Sequence, residues 1–392
     1  MNMPGIRSIA IIGSTGSIGT QALQVVDLMP DRFCVSALTA HSNSALLFRQ
    51  VRKYRPKFAG LSGGEVEVPP DLRFCEWAFG GKALEMASGG VPCEDVLVSV
   101  VGMVGLRCVL AARNSGKRVL LANKEALVAG GALVMDLCPP DEANPGLIPV
   151  DSEHSAVYQC LLAARGNPYR SIILTASGGP FRTWTKEAIR NATLENALRH
   201  PTWTMGRKIT VDSATMFNKA LEIIEAKWLF HAAPEQIEVL VHPESIVHSM
   251  VVYADGAVLA QLGMPDMRAP IAYAMNYPHR LENGTPALHL GQMGTLHFEQ
   301  PDTVRFPAIP LAYQALRAGG SACCVLNAAN ETAANAFLTG KARFRQIAPI
   351  VEETLNRVGT GTAGTLEMVL EVDRMARFEA ERLIGLHYAE DV

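Results

Sequence analysis

The fold of this chain is decided by the stretch from Ser8 to Gly19, which reads SIAIIGSTGSIG. Its apolar start is typical of a buried strand, its glycines have the spacing GxxGxxG, and a helical pattern of apolar residues begins at Ala22. Glycines let the backbone approach a pyrophosphate, and a helix N-terminus supplies N–H groups and the positive end of a dipole. A plain tight turn is the alternative. The flanking strand and helix favour a dinucleotide-binding fold.

Further apolar runs predict more buried strands, at residues 35–39, 96–101, 119–122, 147–150 and 172–175. Polar groups come directly after three of them, at Lys124, Asp151 and Ser177. Open α/β sheets bind ligands at the carboxyl ends of their strands. One such residue is easily a coincidence, but the repetition indicates a binding edge that also includes Gly13.

The cofactor preference is indicated by the residues at the end of the second predicted strand. An NAD enzyme has an acidic residue near this point to bind the ribose 2′-hydroxyl. This chain has His41, Ser42 and Asn43 instead, which are suited to a 2′-phosphate and so favour NADP. The alternative is that these residues form only a connecting loop.

Three carboxylates suggest a metal site. Asp151 and Glu153 are two residues apart, so in an extended backbone they point to the same side. Glu222 shares a helix face with Asn218 and Lys219. Carboxylates without thiol or imidazole groups favour a hard divalent cation, Mg²⁺ or Mn²⁺. The alternative is that Asp151 caps a helix and that both glutamates are surface charges.

Two stretches are candidates for a phosphate site. The loop from Ser177 to Phe181 is small and rich in glycine, and can present hydroxyl and N–H donors; a tight turn is an equal alternative. Ser213, Asn218 and Lys219 are predicted near the start of one helix, beside the Glu222 carboxylate. A capped amphipathic helix is compatible with the same residues.

The residues from 199 to 212 predict a mobile lid. They combine proline and glycine breakers with Trp203 in a polar setting, as expected of a segment that closes over a ligand and excludes water. The alternative is a surface loop with Trp203 packed on the core.

Farther along, His242, Glu244 and His248 could form a metal cluster, but they alternate with apolar residues as in a half-buried strand. A structural role is therefore favoured.

The composition is that of an ordinary globular protein. The chain has 392 residues, 48% hydrophobic and 19% charged, with a formal net charge of −3. No basic excess points to nucleic acid, and no apolar run is long enough to span a membrane. The eight cysteines contain no CxxC pair, which favours reduced buried thiols. With no transit segment before the first strand, we expect a cytoplasmic protein.

The predicted fold class is α/β, with an N-terminal Rossmann-like parallel sheet, a central α+β region with a mixed sheet, and a C-terminal helical bundle. We expect an NADPH-binding domain at 1–150, a catalytic domain at 151–285, a linker at 286–310 and a helical domain at 311–392. The alternating strands at 250–253 and 258–262 leave a sheet edge that is exposed or faces a partner. A homodimer formed through this edge is one expectation.

The motifs together resemble those of the 1-deoxy-D-xylulose 5-phosphate reductoisomerase family. The similarity rests on GSTGSIG at Gly13, LANKE at Leu121, PVDSEH at Pro149, SGGPF at Ser177, and the stretch from His200 to Glu222. HPESIVHSMV at His242 and LNAANE at Leu326 extend it over nearly the whole chain. Some family members have Gly-Lys-Asn where this chain has His41-Ser42-Asn43.

The resemblance implies a role for each matching residue. It implies that the metal ligands are Asp151, Glu153 and Glu222. It implies that the residues contacting NADPH are Thr15, Gly16, Ser17, Ile18, Asn123, Glu125 and Gly206. The substrate phosphate would be bound by Ser177, Ser213, Asn218 and Lys219. The reacting end would be contacted by Lys124, Ser152, Glu153 and His200, under the lid residues Trp203 and Met205.

The implied reaction has two stages. A metal-assisted rearrangement of the carbon skeleton precedes hydride transfer from NADPH. Lys124, Glu153 and a metal-bound water remain alternative groups for moving the hydroxyl proton. Two other functions explain part of the pattern. A plain NADP-dependent dehydrogenase of a phosphorylated semialdehyde or polyol leaves the three carboxylates without a role, and a non-enzymatic NADP sensor explains neither the carboxylates nor the lid.

Overall fold

The structure is a computed structural model that describes residues 5–203 and 205–390, with side chains described as far as residue 386. The outermost ends of the predicted first and last domains, and Thr204 in the predicted lid, lie outside these ranges. The chain divides into two compact units. The first contains residues up to Ala126, Val134–Ser155 and Asp266–Pro286, and the second contains Leu127–Leu133, Ala156–Pro265 and the chain from Ala287 onward.

The strands are short and apolar. They are β1 (Arg7–Ile12), β2 (Phe33–Ala40), β3 (Phe58–Leu61), β4 (Glu76–Phe79), β5 (Asp95–Val98), β6 (Arg118–Leu121), β7 (Leu147–Pro149), β8 (Tyr169–Ala176), β9 (Ile237–Val241), β10 (Val247–Tyr253) and β11 (Val258–Leu262).

Helices connect these strands and form the C-terminal part of the chain. They are α1 (Ser17–Leu28), α2 (Ser44–Tyr54), α3 (Lys82–Glu85), α4 (Val104–Asn114), α5 (Lys124–Asp136), α6 (Ser152–Ala163), α7 (Lys186–Arg190), α8 (Leu194–Ala197), α9 (Arg207–Thr215), α10 (Phe217–Phe230), α11 (Arg268–Asn276), α12 (Leu290–Met293), α13 (Ala308–Ala318), α14 (Ala322–Leu338), α15 (Ile347–Val358) and α16 (Leu366–Glu390).

The first unit is built on a seven-stranded sheet in the order β4-β3-β2-β1-β5-β6-β7. Every neighbouring pair in it is parallel. Its central strands are mostly buried, as expected when helices cover both faces of a parallel sheet. The chain leaves β1 in one direction and later returns to β5 on its other side. The gap between these two strands is therefore the switch point at which such sheets bind ligands.

The second unit contains a four-stranded mixed sheet in the order β11-β10-β8-β9. The β8–β9 pair is parallel, and β10 is antiparallel to both of its neighbours. Helices α10 and α13 to α16 bury one continuous apolar core in this unit, with Phe181 and Phe217 among its largest fully buried side chains. The predicted parallel sheet, mixed sheet and helical C-terminal region are thus all present.

The backbone conformation differs from the prediction in two places. Asp151 and Glu153 are not both extended, because α6 begins at Ser152 and Glu153 lies in its first turn. The backbone N–H groups there need acceptors, and Asp151 supplies one as the cap. The predicted lid at 199–212 is only partly a loop, since α9 begins at Arg207. Ser213 therefore lies inside α9 rather than at the start of the next helix.

Within the described residues, no helix has an apolar stretch long and uncharged enough to cross a membrane. The eight cysteines are free, and most of them are buried. Burial raises the pKa of the Cys75, Cys323 and Cys324 thiols to about 12, so these side chains stay protonated near neutral pH. They are structural groups rather than nucleophiles.

Candidate active site

The glycine loop joins β1 directly to α1. Gly13 has a φ of +92°, and a side chain there would come within 2.9 Å of the Ser99 carbonyl oxygen. Gly19 is more tightly enclosed, because a Cβ on it would lie 2.3 Å from the Gly13 carbonyl oxygen. The N-cap of α1 is Gly16, which offers no side chain to accept from the first N–H groups of the helix. This geometry presents backbone donors to an anion.

A buried glutamine holds the glycine loop in shape. Gln50 on α2 accepts a hydrogen bond of 2.7 Å from the Ser14 hydroxyl and donates one of 2.9 Å to the Ser14 carbonyl. Ser99, at the end of β5, donates to the Ile12 carbonyl across the switch point. Neither Gln50 nor Ser99 was expected from the sequence to have a role. Ser99 could have been predicted from the sequence, because it is a polar residue that directly follows a buried strand.

The residues after β2 have mixed roles. His41, Ser42 and Asn43 are exposed, and the His41 Nδ1 lies 3.0 Å from the Ser62 hydroxyl. Asn43 caps α2, since its side-chain oxygen accepts from the Leu46 N–H. Asn43 thus has a structural role as well, and all three exposed side chains lie where a ligand can reach them.

Asn123 and Glu125 are buried, and they bond to each other over 2.7 Å. The Asn123 oxygen also caps α5 by accepting from Ala126, and its amide donates to the carbonyls of Val100 and Gly102. The polar atoms of Asn123 are thus used to hold the loop after β5 in place. A side chain on Gly105 would clash with Asn123, which explains the glycine at that position.

The PVDSEH motif places its polar groups at the carboxyl end of β7. The Asp151 carboxylate caps α6 and forms an ion pair with Lys124. Ser152 donates its hydroxyl hydrogen to the Glu153 carboxylate. His154 is fully buried, with its Nδ1 3.4 Å from Asp151. The cap interpretation of Asp151 is correct, but one of its carboxylate oxygens also faces an ammonium group.

The second unit contributes a similar arrangement on α10. Lys219 and Glu222 form an ion pair in which both side chains are almost completely buried, at 3% and 1% exposure. The Asn218 amide donates to the other Glu222 oxygen over 2.6 Å. The three side chains lie on one helix face, as their spacing predicts. Glu222 is therefore not an ordinary surface charge, and a buried carboxylate needs such partners.

The SGGPF loop begins at the end of β8 and turns on two glycines with positive φ, Gly178 at +83° and Gly179 at +67°. The Ser177 hydroxyl lies 3.1 Å from the His200 Nε2. A Cβ on Gly179 would lie 2.6 Å from the Ser213 carbonyl oxygen, so this loop packs closely against the end of α9. Ser177 and Ser213 are thereby brought to the same region of the second unit.

The hydrogen bonds of His200 define its tautomer. Its Nδ1 accepts from the backbone N–H groups of Thr202 and Trp203, at 3.2 and 2.9 Å. The hydrogen must then be on Nε2, which donates to Ser177. Burial lowers the pKa of His200 to about 4, because the charged form loses its hydration. His200 is therefore a neutral hydrogen-bond donor near neutral pH.

The lid residues follow this histidine in the chain. Trp203 is half-buried, and its ring centroid lies 6.4 Å from that of His248. Met205 is half-buried as well, while Gly206 is exposed and forms the N-cap of α9. The contact of Trp203 with His248 agrees with the alternative in which Trp203 packs on the core. Gly206 is exposed, so a ligand can reach its backbone.

His242 has a structural role, although it lies after the end of β9 rather than inside a strand. Its Nδ1 is 2.8 Å from the His297 carbonyl oxygen, and its Nε2 accepts from the N–H groups of Ile246 and Val247. A neutral imidazole satisfies all these partners at once, and neither ring nitrogen remains for a metal. The metal-cluster alternative for this stretch is therefore wrong.

Family models match most of the chain. The model of 1-deoxy-D-xylulose 5-phosphate reductoisomerase matches residues 9–131. The model of the C-terminal domain of the same enzyme matches residues 147–230, and that of the DXP reductoisomerase C-terminal domain matches residues 262–379.

Full-length relatives and solved structures agree with these matches. The 1-deoxy-D-xylulose 5-phosphate reductoisomerase of Ralstonia nicotianae is 51% identical over 386 residues, which cover 96% of this chain and 98% of the relative. The enzyme from Zymomonas mobilis, solved with NADPH, superimposes with a TM-score of 0.88 at 40% identity over 97% of this chain and 99% of that one. A reductoisomerase solved with NADPH, fosmidomycin and magnesium has a TM-score of 0.88 at 37% identity, with 97% and 99% coverage.

Proposed function

This chain belongs to the 1-deoxy-D-xylulose 5-phosphate reductoisomerase family, and from that premise we propose how its own residues carry out the reaction. It converts 1-deoxy-D-xylulose 5-phosphate to 2-C-methyl-D-erythritol 4-phosphate in the non-mevalonate isoprenoid pathway, using NADPH and a divalent metal. The observation that carries the assignment of residues is the pairing of a lysine with a predicted ligand carboxylate in each unit, Lys124 with Asp151 and Lys219 with Glu222.

Asp151, Glu153 and Glu222 are the proposed metal ligands. Each of the three side chains carries a carboxylate that can offer an oxygen to an ion. An all-oxygen donor set of this charge fits Mg²⁺ or Mn²⁺ better than zinc. When bound, the cation acts as a Lewis acid that polarises the substrate oxygens during the rearrangement. In each unit a lysine ammonium group pairs with one of these carboxylates, Lys124 with Asp151 and Lys219 with Glu222. The lysine offsets the negative charge of the carboxylate when no metal ion is bound.

The phosphate of the substrate is bound by Ser177, Ser213, Asn218 and Lys219 in this proposal. The first two supply hydroxyl groups and the last supplies a buried positive charge. Binding energy from this remote group orients the reacting end of the substrate. His200 orients the Ser177 hydroxyl as a neutral donor, and Trp203 and Met205 exclude water when the loop closes.

The reacting end of the substrate is contacted by Lys124, Ser152, Glu153 and His200. Lys124 stabilises negative charge that develops on the substrate oxygens. Glu153 is the group to which we assign movement of the hydroxyl proton, because Ser152 already donates to its carboxylate and keeps it in place. Lys124 cannot accept a proton while it is held as an ammonium group by Asp151.

NADPH is bound at the switch point of the parallel sheet. Thr15, Gly16, Ser17 and Ile18 surround the pyrophosphate at the start of α1, and His41, Ser42 and Asn43 lie near the 2′-phosphate. Asn123, Glu125 and Gly206 complete the cofactor site. The buried bonds of Asn123 and Glu125 to each other indicate that these two act by shaping the loop after β5.

The remaining assignments concern the assembly and its setting. We propose a homodimer that forms at the edge strand β11, where the apolar side chains Val258 and Leu259 are 50% and 38% exposed. The free cysteines fit a reducing cytoplasm. The functional division is an NADPH-binding domain at 1–150, a catalytic domain at 151–285, a linker at 286–310 and a helical domain at 311–392. Sedimentation of Leu259→Lys tests the dimer, which should dissociate; a wild-type monomer contradicts it.

The proposed function is tested by monitoring NADPH absorbance with purified protein and 1-deoxy-D-xylulose 5-phosphate, in Mn²⁺, in Mg²⁺ and in chelator. We expect oxidation with either metal and none with chelator. Folded protein that binds NADPH but never oxidises it would contradict the assignment.

The variant Glu222→Gln tests the metal ligands. It keeps the size of the side chain but removes its charge, so turnover should fall by at least about a thousandfold while NADPH affinity stays within about twofold. Glu235→Gln is the matched control, because Glu235 is 66% exposed and lies on the surface of the same unit. Normal turnover by Glu222→Gln would remove Glu222 from the site.

A further inference from the structure

A buried carboxylate connects the C-terminal helices to α9. Asp212 is 1% exposed, and its two oxygens have different partners. Lys208, one turn earlier on α9, forms an ion pair with Oδ2 over 2.7 Å. The side-chain amide of Asn330 on α14 donates to Oδ1 over 3.0 Å. A buried charge needs such partners, so this geometry holds α9 in one orientation against α14.

Asn330 lies among mostly apolar side chains of its helix. It is fully buried, and its neighbours on α14 include the buried Leu326, Ala329 and Ala333. Its own side-chain oxygen has no hydrogen-bond partner among the described residues. Burying an unpaired oxygen costs desolvation free energy, which an aliphatic side chain at this position would avoid. The hydrogen bond to Asp212 is therefore the stabilising interaction that an asparagine makes at this position and a leucine cannot make.

The orientation of α9 controls two groups that we assign to the phosphate site. Ser213 comes directly after Asp212 on this helix. The Ser213 carbonyl oxygen lies so close to Gly179 that a Cβ there would be 2.6 Å away, so the SGGPF loop rests on the end of α9. A rotation of α9 would displace the Ser213 hydroxyl and the loop that carries Ser177 together.

We propose that Asn330 is a positioning residue for recognition of the substrate phosphate, acting through Asp212 on α9. The proposal rests on the phosphate-binding role assigned above to Ser177 and Ser213. Asn330 does not touch the substrate. It sets the angle of the helix that presents one phosphate ligand and supports the loop of another, so its loss weakens the use of phosphate binding energy rather than the chemistry at the reacting end.

The test compares two substrates, 1-deoxy-D-xylulose 5-phosphate and 1-deoxy-D-xylulose, which lacks the phosphate. For Asn330→Leu we expect kcat/KM for the phosphorylated substrate to fall about tenfold, mainly through KM, as for loss of a hydrogen bond to a charged group. The value for the unphosphorylated substrate should stay within about twofold. A general loss of structure would lower both values equally, and that result would overturn the proposal.

Asn327→Leu is the matched control. Asn327 lies one turn earlier on α14, is fully buried, and has no hydrogen-bond partner for its amide among the described residues. We expect both substrates to be used as by the wild type. A phosphate-specific loss as large as that of Asn330→Leu would show that any buried polar change on α14 has this effect, and would overturn the role of the Asp212 bond.

An exchange of the two partners provides the rescue. Asn330→Asp alone should reproduce the phosphate-specific loss, because it sets a second carboxylate against Asp212 in place of the donating amide. Asp212→Asn combined with Asn330→Asp restores an amide–carboxylate bond with its direction reversed. We expect the exchanged pair to bring KM for the phosphorylated substrate most of the way back to the wild-type value. The exchanged pair also tests the proposal if Asn330→Leu does not accumulate as folded protein, since an exchanged pair that performs no better than Asn330→Asp alone overturns the proposal.

Ser213→Ala separates this inference from the proposed function. If Ser213→Ala shows the phosphate-specific loss and Asn330→Leu does not, the phosphate site stands and the positioning role of Asn330 is wrong. If neither variant shows it, the assignment of Ser213 to the phosphate site is wrong as well.

Discussion

The Nε2 atom of His200 donates a hydrogen bond to the hydroxyl oxygen of Ser177, 23 positions earlier in the chain, over 3.1 Å. The other ring nitrogen accepts two backbone N–H groups of the lid loop. One neutral imidazole therefore connects the lid to the glycine-rich loop proposed to bind phosphate. Protonation of Nδ1 would break both bonds to the lid.

The first prediction concerns pH. Burial lowers the pKa of His200 from 6.5 to about 4, so the unfolded or opened state binds a proton more readily than the folded state. The stability of the folded lid is therefore fully present above pH 6.5 and is lost as the pH falls toward 4. Trp203 fluorescence should report this opening, with Trp203→Phe to subtract the other tryptophans.

His200→Asn is the control for that titration. Its side-chain oxygen can still accept the lid N–H groups, but it carries no titrating proton between about pH 4 and 6.5. The acid transition should disappear from the fluorescence signal. An unchanged transition in this variant would show that another group controls the opening.

The second prediction concerns the buried ion pair on α10. Lys219→Met removes the positive charge from the buried Glu222 carboxylate, and should lower the free energy of unfolding by about 3–5 kcal/mol in chelator. Lys53→Met breaks an exposed pair with Asp27 and should change it by at most about 1 kcal/mol. Urea unfolding measures both, and similar small losses would contradict the buried role.

The third prediction concerns the glycine loop. Gly19→Ala places a Cβ 2.3 Å from the Gly13 carbonyl oxygen, so the loop must shift away from the start of α1. NADPH should bind at least about tenfold more weakly, because the backbone donors no longer converge. Gly81→Ala is the control, since a Cβ there meets nothing within 4 Å. Fluorescence titration compares the two dissociation constants; equal values would contradict the prediction.

The fourth prediction concerns Gln50. Gln50→Leu removes the side-chain donor to the buried Ser14 carbonyl, while the Ser14 hydroxyl keeps the Thr39 carbonyl as its acceptor. An unsatisfied buried group costs about 1–3 kcal/mol. We expect KM for NADPH to rise about tenfold with kcat nearly unchanged. Gln314→Leu, on the exposed face of α13, should leave both constants at wild-type values. A fall in kcat without a change in KM would argue against a role in cofactor binding.

Local pattern determined the elements that hold the site. The alternation of apolar runs and glycines from Ser8 onward predicts strand, loop and helix, because backbone conformation and burial depend on near neighbours. The same is true of Asn218, Lys219 and Glu222, whose spacing on a helix is sufficient to place them on one face. The motifs were also sufficient to identify the family.

Where the pattern failed, a competing local interaction decided the structure. The carboxylates of Asp151 and Glu153 were expected on one side of a strand, but Asp151 caps α6 and Glu153 enters its first turn. Ser213 was expected near the start of the helix that carries Asn218 and Lys219, and it lies inside α9. Capping residues tolerate helix interiors when tertiary packing covers them.

The sequence by itself therefore determined the strand–loop–helix order, the family, and which residue types can hold a phosphate, a nucleotide or a divalent cation. Only the tertiary structure decided the state of those groups: the neutral tautomer of His200, the pairing of Lys124 with Asp151, and the bond between Asn330 and Asp212 across 118 positions. The reason is physical, since charge state and hydrogen bonding depend on burial and on partners that chain distance does not reveal.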